Sequence, residues 1–212
     1  MKKLLYLICF SSLFGCTTDR DIAIAEQKLD PASELIYFWN FNSISGTVTE
    51  VLPDYQATKA LAKISYPGSG AGYMDVFSPG YDVNLRKSEE AGSGLRARNP
   101  SNTRSLILEL PTTGFKKVVL SYATAKTSSG AASQIFSYTV NGSDYITDGL
   151  TVRSFNPVDD PSSSLLQLDF SSIPAVNNNA NFKVKINFEG PTASGASGNN
   201  RFDNVAVDAV PF

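Results

Sequence analysis

The stretch FKVKINF, residues 182–188, constrains the fold more than any other part of this chain. Phe182, Val184, Ile186 and Phe188 share one parity, and Lys183, Lys185 and Asn187 share the other. Side chains alternate faces along a strand, so a period of two predicts a half-buried β-strand. QIFSYTV (134–140) repeats the pattern with Phe136, Tyr138 and Val140. It then meets Asn141-Gly142, a pair that accepts the positive φ of a hairpin turn. LLQLDF (165–170) sets Leu166, Leu168 and Phe170 on one face, and VAVDAV (205–210) does the same with Val205, Val207 and Ala209. RSLILELP (104–111) and FKKVVLSYATA (115–125) are further apolar runs. LIYFWNF (35–41) is apolar on both parities, the pattern of a strand buried on both faces. After residue 34 no segment holds a 3.6-residue period for three turns; LPDYQATKALAKI (52–64) is the best helical candidate. Short runs rich in Val, Ile, Tyr and Phe, broken by Gly, Asn, Pro and Ser, predict an all-β fold. The expected architecture is a two-sheet antiparallel β-sandwich with few or no helices.

The N-terminus has a different grammar. MKK supplies positive charge and LLYLICFSSLF a short apolar core, too short to cross a bilayer as a mature helix. Residues 1–15 therefore read as a signal peptide. The segment closes on LFGC, which resembles a bacterial lipobox. That resemblance implies that Cys16 is lipidated and becomes the first mature residue. An ordinary signal peptide with an unrelated cysteine is the other reading. Thr17 stands where an aspartate favours inner-membrane retention, so the resemblance implies an outer membrane location. Asp19 and Asp21 in TTDRD resemble surface-export signals and imply cell-surface exposure. Residues 16–33 are a polar tether, with a short helix expected at 21–29 and stopped by Pro31. Residues 34–212 are then a single β-sandwich domain, since nothing inside them marks a second boundary.

Several function classes are excluded at this stage. The chain contains no histidine, which removes the usual general base, the usual zinc ligand and the Ser–His–Asp arrangement. Its only cysteines are Cys9 and Cys16, so the expected mature domain has no disulfide and no thiolate. The formal charge is −2 with no Lys/Arg run, which gives no electrostatic footprint for nucleic acid. Loss of Lys2 and Lys3 with the signal leaves 16 basic against 20 acidic residues and makes the mature chain more acidic still. No phosphate-binding loop, dinucleotide fingerprint or nucleophile elbow is present.

The strings LRARNPSNTRSLILELPTTGFKKVVLSYAT (95–124), SQIFSYTVNG (133–142), LDFSSIPAVNNNANFKVKINFEG (168–190) and NNRFDNVAV (199–207) together resemble secreted bacterial jelly-roll modules. These share the topology of galactose-binding-like and carbohydrate-binding domains. The resemblance spans about residues 35–210 and implies a jelly roll in which the first and last strands are neighbours. In related modules an acidic residue after a phenylalanine in the first strand and an aspartate in the last help hold a structural calcium. The matching positions here are Asn42 in NFNS and Asp203 in RFDN. Asn42 is an amide where an acid is usual, which lowers the charge available to Ca²⁺. Two readings stand: Asn42 and Asp203 hold calcium, or they hydrogen-bond nearby backbone and staple the chain ends. Asp203 also shares parity with Val205 and Val207, so an unbroken strand would turn it inward.

Three further constellations carry possible chemistry. The segment ISYPGSGAGYMDVFSPGYDVNLR (64–86) sets aromatics among glycines and prolines. Tyr73, Phe77 and Tyr81 could stack on sugar rings while Asp82 and Arg86 bond the hydroxyls, or the aromatics could plug one end of the sandwich. Arg96 and Arg98 lie one alternation apart and share a strand face, where they either grip an acidic group or are simply solvated. Glu109, Asp169, Glu189 and Asp203 are available carboxylates, but no spacing singles out the pair a glycosidase needs. The expected role is therefore not enzymatic. The chain reads as a lipid-anchored, extracytoplasmic module that binds a glycan. A structural or adhesion lipoprotein that docks a surface protein, and a carboxylate-only hydrolase, are the competing classes.

Overall fold

The computed structural model describes residues 29–212. The signal peptide, Cys16 and nearly all of the expected 21–29 helix lie outside the described residues. Two antiparallel sheets face each other. The first contains β1 (Glu34–Trp39), β2 (Thr47–Val48), β4 (Tyr55–Gln56), β6 (Met74–Phe77), β7 (Gly94–Arg98), β9 (Phe115–Lys126), β12 (Ser164–Asp169) and β14 (Asn199–Pro211). The second contains β3 (Glu50–Val51), β5 (Lys63–Ser65), β8 (Ser105–Glu109), β10 (Ser133–Thr139), β11 (Ser154–Phe155) and β13 (Lys183–Glu189). The order in the second sheet is β11-β10-β13-β8-β5-β3. In the first it is β12-β9-β14-β7-β6-β2, with β1 paired to β14 and β4.

The alternation in 182–188 sorts as the period requires. Phe182, Val184, Ile186 and Phe188 enter the core between the sheets, while Lys183, Lys185 and Asn187 stay half-buried outside. β1 is buried on both faces: Ile36, Tyr37 and Trp39 join the inter-sheet core and Phe38 is covered on the other side. The first and last long strands are neighbours, with Tyr37 opposite Val207 and Trp39 opposite Val205. The Asn141-Gly142 pair does reverse the chain: Gly142 takes φ +89°, and Tyr138 bridges Ile146 across the turn.

The helical candidate at 52–64 is corrected. Those residues hold β4 and the start of β5, and among the described residues the one helical turn is Pro174–Val176. The physical reason is period: Ala62, Ile64 and Tyr66 are buried while Leu61 is exposed, which is strand alternation rather than a helical stripe.

β14 carries the topology. Its first half pairs with β7 and its second half with β1, while β9 runs along its other side. The change of partner coincides with a bulge. Asp203 faces Ala123 and Ala206 faces Ser121, so β14 has one residue more than β9 over this stretch. Asn204 occupies the bulge at φ +48°. A bulge resets the alternation. Phe202 and Val205 both enter the inter-sheet core, and Asp203 is left on the opposite face. The inward orientation expected from parity is thus corrected by one inserted residue.

The outer face of the first sheet is covered in part by residues 78–93. This segment closes over a second apolar cluster of Phe77, Tyr81, Ala123 and Ala125, with Val83 packed against it.

Candidate functional site

Asp203 and Asn204 anchor the covering segment. One Asp203 carboxylate oxygen accepts the Tyr81 N–H at 2.6 Å, and the other accepts the Asn204 N–H at 2.8 Å. The Asn204 side-chain amide donates to the Tyr81 and Val83 carbonyls at 2.7 and 2.9 Å. Gly80 makes the close approach possible, because a Cβ there would sit 2.6 Å from Asp203 Oδ2. Burial raises the Asp203 carboxyl to about 7, and the two N–H bonds only partly oppose that rise. Asn42 works further along the same segment. Its carbonyl oxygen accepts Ser93 N–H at 2.7 Å and its amide donates to Glu90 at 3.3 Å.

Each Asp203 oxygen receives one backbone N–H, which commits one of its two lone pairs to the protein itself. Among the described residues no group of three or more acidic, His or Cys side chains converges to hold a metal. Asn42 and Asp203 do staple the structure through backbone amides, but the amides belong to the 78–93 segment rather than to β1.

The aromatic set divides. Phe77 and Tyr81 are only 5% and 7% exposed, with ring centroids 5.1 Å apart in the second cluster. Their faces are spent on packing, which corrects the expectation that they form a sugar platform. The Tyr81 hydroxyl donates to Asp160 at 3.0 Å, and Arg201 joins the same carboxylate while lying 4.7 Å from the Phe77 ring centre. Arg86 pairs with Asp208 at 3.6 Å, and Asp82 is exposed nearby. Tyr73 is elsewhere. Its carbonyl takes the Arg98 N–H, and Arg98 lies opposite Asn199 at the start of β14. Asn199 and Asp208 are separated by roughly 30 Å of strand at about 3.3 Å per residue. Tyr73 and Arg86 therefore cannot touch one ligand of mono- or disaccharide size.

Tyr73, 41% exposed, stands at the rim of an open cleft of about 500 Å³. The cleft lies where β2 and β6 of one sheet approach β5 of the other, and its polar lining is Thr47, Thr49, Ser65, Tyr66, Tyr73 and Arg104. The glycine-rich loop YPGSGAGY (66–73) forms one wall and follows residues 103–105 closely: Ser69 N–H donates to Thr103, and Ser105 N–H donates to Pro67. Gly72 is required here, since a Cβ would come within 2.7 Å of the Arg98 carbonyl and 3.0 Å of Arg104 Cδ. Arg104 threads this wall and donates to the Tyr66 and Gly70 carbonyls, both at 2.8 Å. Its guanidinium carbon also sits 5.5 Å from the Tyr66 ring centre. Burial raises the Tyr66 phenol far above its ordinary value, so it stays neutral. On the far side of Tyr73, Arg98 lies 5.5 Å from the ring centre. Arg96 and Arg98 do share a face, and both bond Asp75, at 2.8 and 2.9 Å. They grip the chain's own carboxylate.

Sequence reasoning named Tyr73, which the structure places at the cleft rim, and did not name Arg104. The glycine loop and the arginine are more than thirty positions apart, and only their packing shows that one wraps the other. The available signal was the density of glycine in 66–73, which marks close backbone approach.

No family model matches this sequence, and no curated protein matches it. Solved structures do. The CBM22-1 xylan-binding domain from Paenibacillus barcinonensis Xyn10C superposes with a TM-score of 0.50 at 13% identity, covering 87% of this chain and 99% of that one. The chain shares the two-sheet β-sandwich fold of that domain. The CBM22-1-CBM22-2 tandem of the same protein gives a TM-score of 0.51 at 13% identity, over 85% of this chain and 47% of that one. At such identity the likeness is one of fold.

Proposed function

We propose that the protein is a non-catalytic, lipid-anchored, extracytoplasmic module that binds a glycan in the Tyr73 cleft. The observation that carries this reading is the pairing of an exposed tyrosine ring with a row of hydroxyls and a guanidinium in one open groove. A pyranose presents an apolar C–H face and a rim of hydroxyls, and this lining complements both. The shared fold with xylan-binding domains supports the reading. The lipobox-like LFGC supports attachment through Cys16 at the outer membrane, which would present the groove to polysaccharides outside the cytoplasm.

The test is a polysaccharide panel probed with the full chain by affinity electrophoresis and calorimetry. Binding to at least one polymer, weakened tenfold or more in Tyr73→Ala with an unchanged melting temperature, is expected. Silence across the panel, or binding indifferent to Tyr73, would overturn the reading.

A further inference from the structure

We infer that the saccharide taken by this cleft is an acidic one, whose carboxylate or sulfate oxyanion sits against Arg104 while its ring lies on Tyr73. The inference rests on the glycan reading of the same cleft and specifies its ligand. Among the described residues that line the cleft Arg104 is the only formal charge, and no carboxylate of the described residues lies within 4.0 Å of it. The nearby acids are already engaged: Glu50, next to Thr49, pairs with Lys63 at 3.2 Å, and Asp75 is held by Arg96 and Arg98.

The guanidinium has five N–H groups. One terminal nitrogen donates to Tyr66 and the other to Gly70, and the latter bond lies at the exposed surface. Nε is buried and has no hydrogen-bond partner among the described residues. Two carbonyls orient the head without neutralising it, and the terminal nitrogens keep uncommitted N–H bonds. The glycine wall holds the stem, with the Arg104 side chain pressed against Gly68 and Gly72. A positive group fixed in place, half desolvated and lacking a countercharge, is complementary to a planar or tetrahedral oxyanion. Neutral sugars would use the hydroxyls and the ring but leave that charge uncompensated. The formal net charge of −2 gives the chain no general attraction for polyanions, so an acidic ligand needs a local site such as this one.

The experiment compares the full chain with two variants against neutral xylan, polygalacturonate and dextran sulfate at 0.15 M salt. Arg104→Gln removes the charge. Thr49→Glu adds a carboxylate to the exposed rim and leaves Arg104 and its wall intact, so it reports even if Arg104→Gln disturbs the loop. At least one acidic polymer is expected to bind tenfold or more tighter than xylan. Both variants should erase that preference, so that the ratio of acidic to neutral binding falls tenfold or more. The acidic polymer that binds identifies the oxyanion as carboxylate or sulfate. Equal or tighter binding of xylan, unaffected by Thr49→Glu, would overturn the acidic ligand and keep the glycan reading. No binding to any polymer would remove the glycan reading itself, and the inference with it.

Discussion

Asp203 shows how one side chain can look catalytic and be structural. Its carboxyl is raised to about 7 by burial, a value that suits a general acid, but its oxygens are occupied by Tyr81 and Asn204 N–H groups under a covering segment. The pH dependence follows from linkage. The unfolded chain releases this proton near 3.8 and the folded protein near 7, so folding takes up a proton between those values. The stability contributed is full below the unfolded value and is lost as pH rises through about 7. Asp208 shifts in the same direction, chiefly through burial. Calorimetric scans should therefore give a higher melting temperature at pH 5 than at pH 8, and Asp203→Asn should shrink that gap. A gap equal in both proteins would show that Asp203 is already charged when folded. Adding calcium should move the melting temperature of neither. A calcium-induced rise that disappears in Asp203→Asn would place a cation on this carboxylate.

Two elements concentrate the local physics. In β14 the bulge at Asn204 needs a left-handed backbone and spends its amide on two carbonyls. A β-branched residue at positive φ costs on the order of 1–3 kcal/mol, before the lost hydrogen bonds are counted. Urea denaturation should rank Asn204→Val below Asn204→Gly, since glycine keeps the conformation and loses only the bonds. Equal midpoints would mean that the strand re-pairs without its bulge. The 66–73 loop is the second such element. Gly72→Val would drive a side chain into Arg98 and Arg104, so tyrosine-dependent glycan binding should fall tenfold or more. Retained binding would show that the cleft wall adapts.

At the scale of the molecule, the two sheets are tied by a buried polar bridge as well as by apolar packing. The Tyr122 hydroxyl of β9 donates to the Gln134 carbonyl oxygen of β10 at 2.8 Å, and the Gln134 amide donates to Thr124 at 2.9 Å. All three side chains are fully buried. Tyr122→Phe leaves the Gln134 oxygen without its donor in the interior, which should cost about 1–3 kcal/mol. Equilibrium urea unfolding would reveal this; a loss below about 0.5 kcal/mol would mean that water or a shifted Gln134 satisfies the group.

The architecture was readable because it rests on local information. Alternation in 182–188, the doubly apolar 35–41 and the turn at Asn141-Gly142 each follow from nearest neighbours along the chain, and each reappears in the structure. So does the adjacency of the first and last strands that the jelly-roll resemblance implied. The helical expectation at 52–64 failed because the segment is too short for composition to reveal its period. The site was readable only in part. Tyr73 is exposed, whereas Phe77 and Tyr81 carry the same local signature and are buried.

What the sequence determined by itself was the all-β class, the sandwich and the absence of histidine chemistry, because these depend on residue type and on a period of two. What only the tertiary structure decided was the face on which each side chain lies and its long-range partner. One inserted residue at Asn204 inverted the parity of Asp203. The folding of residues 78–93 over β9 and β14 turned two aromatics into core. The wrapping of a glycine loop around Arg104 made a cleft from segments more than thirty residues apart. Parity is additive along a chain, so one bulge resets it, and burial depends on what packs across the gap, which no local pattern encodes.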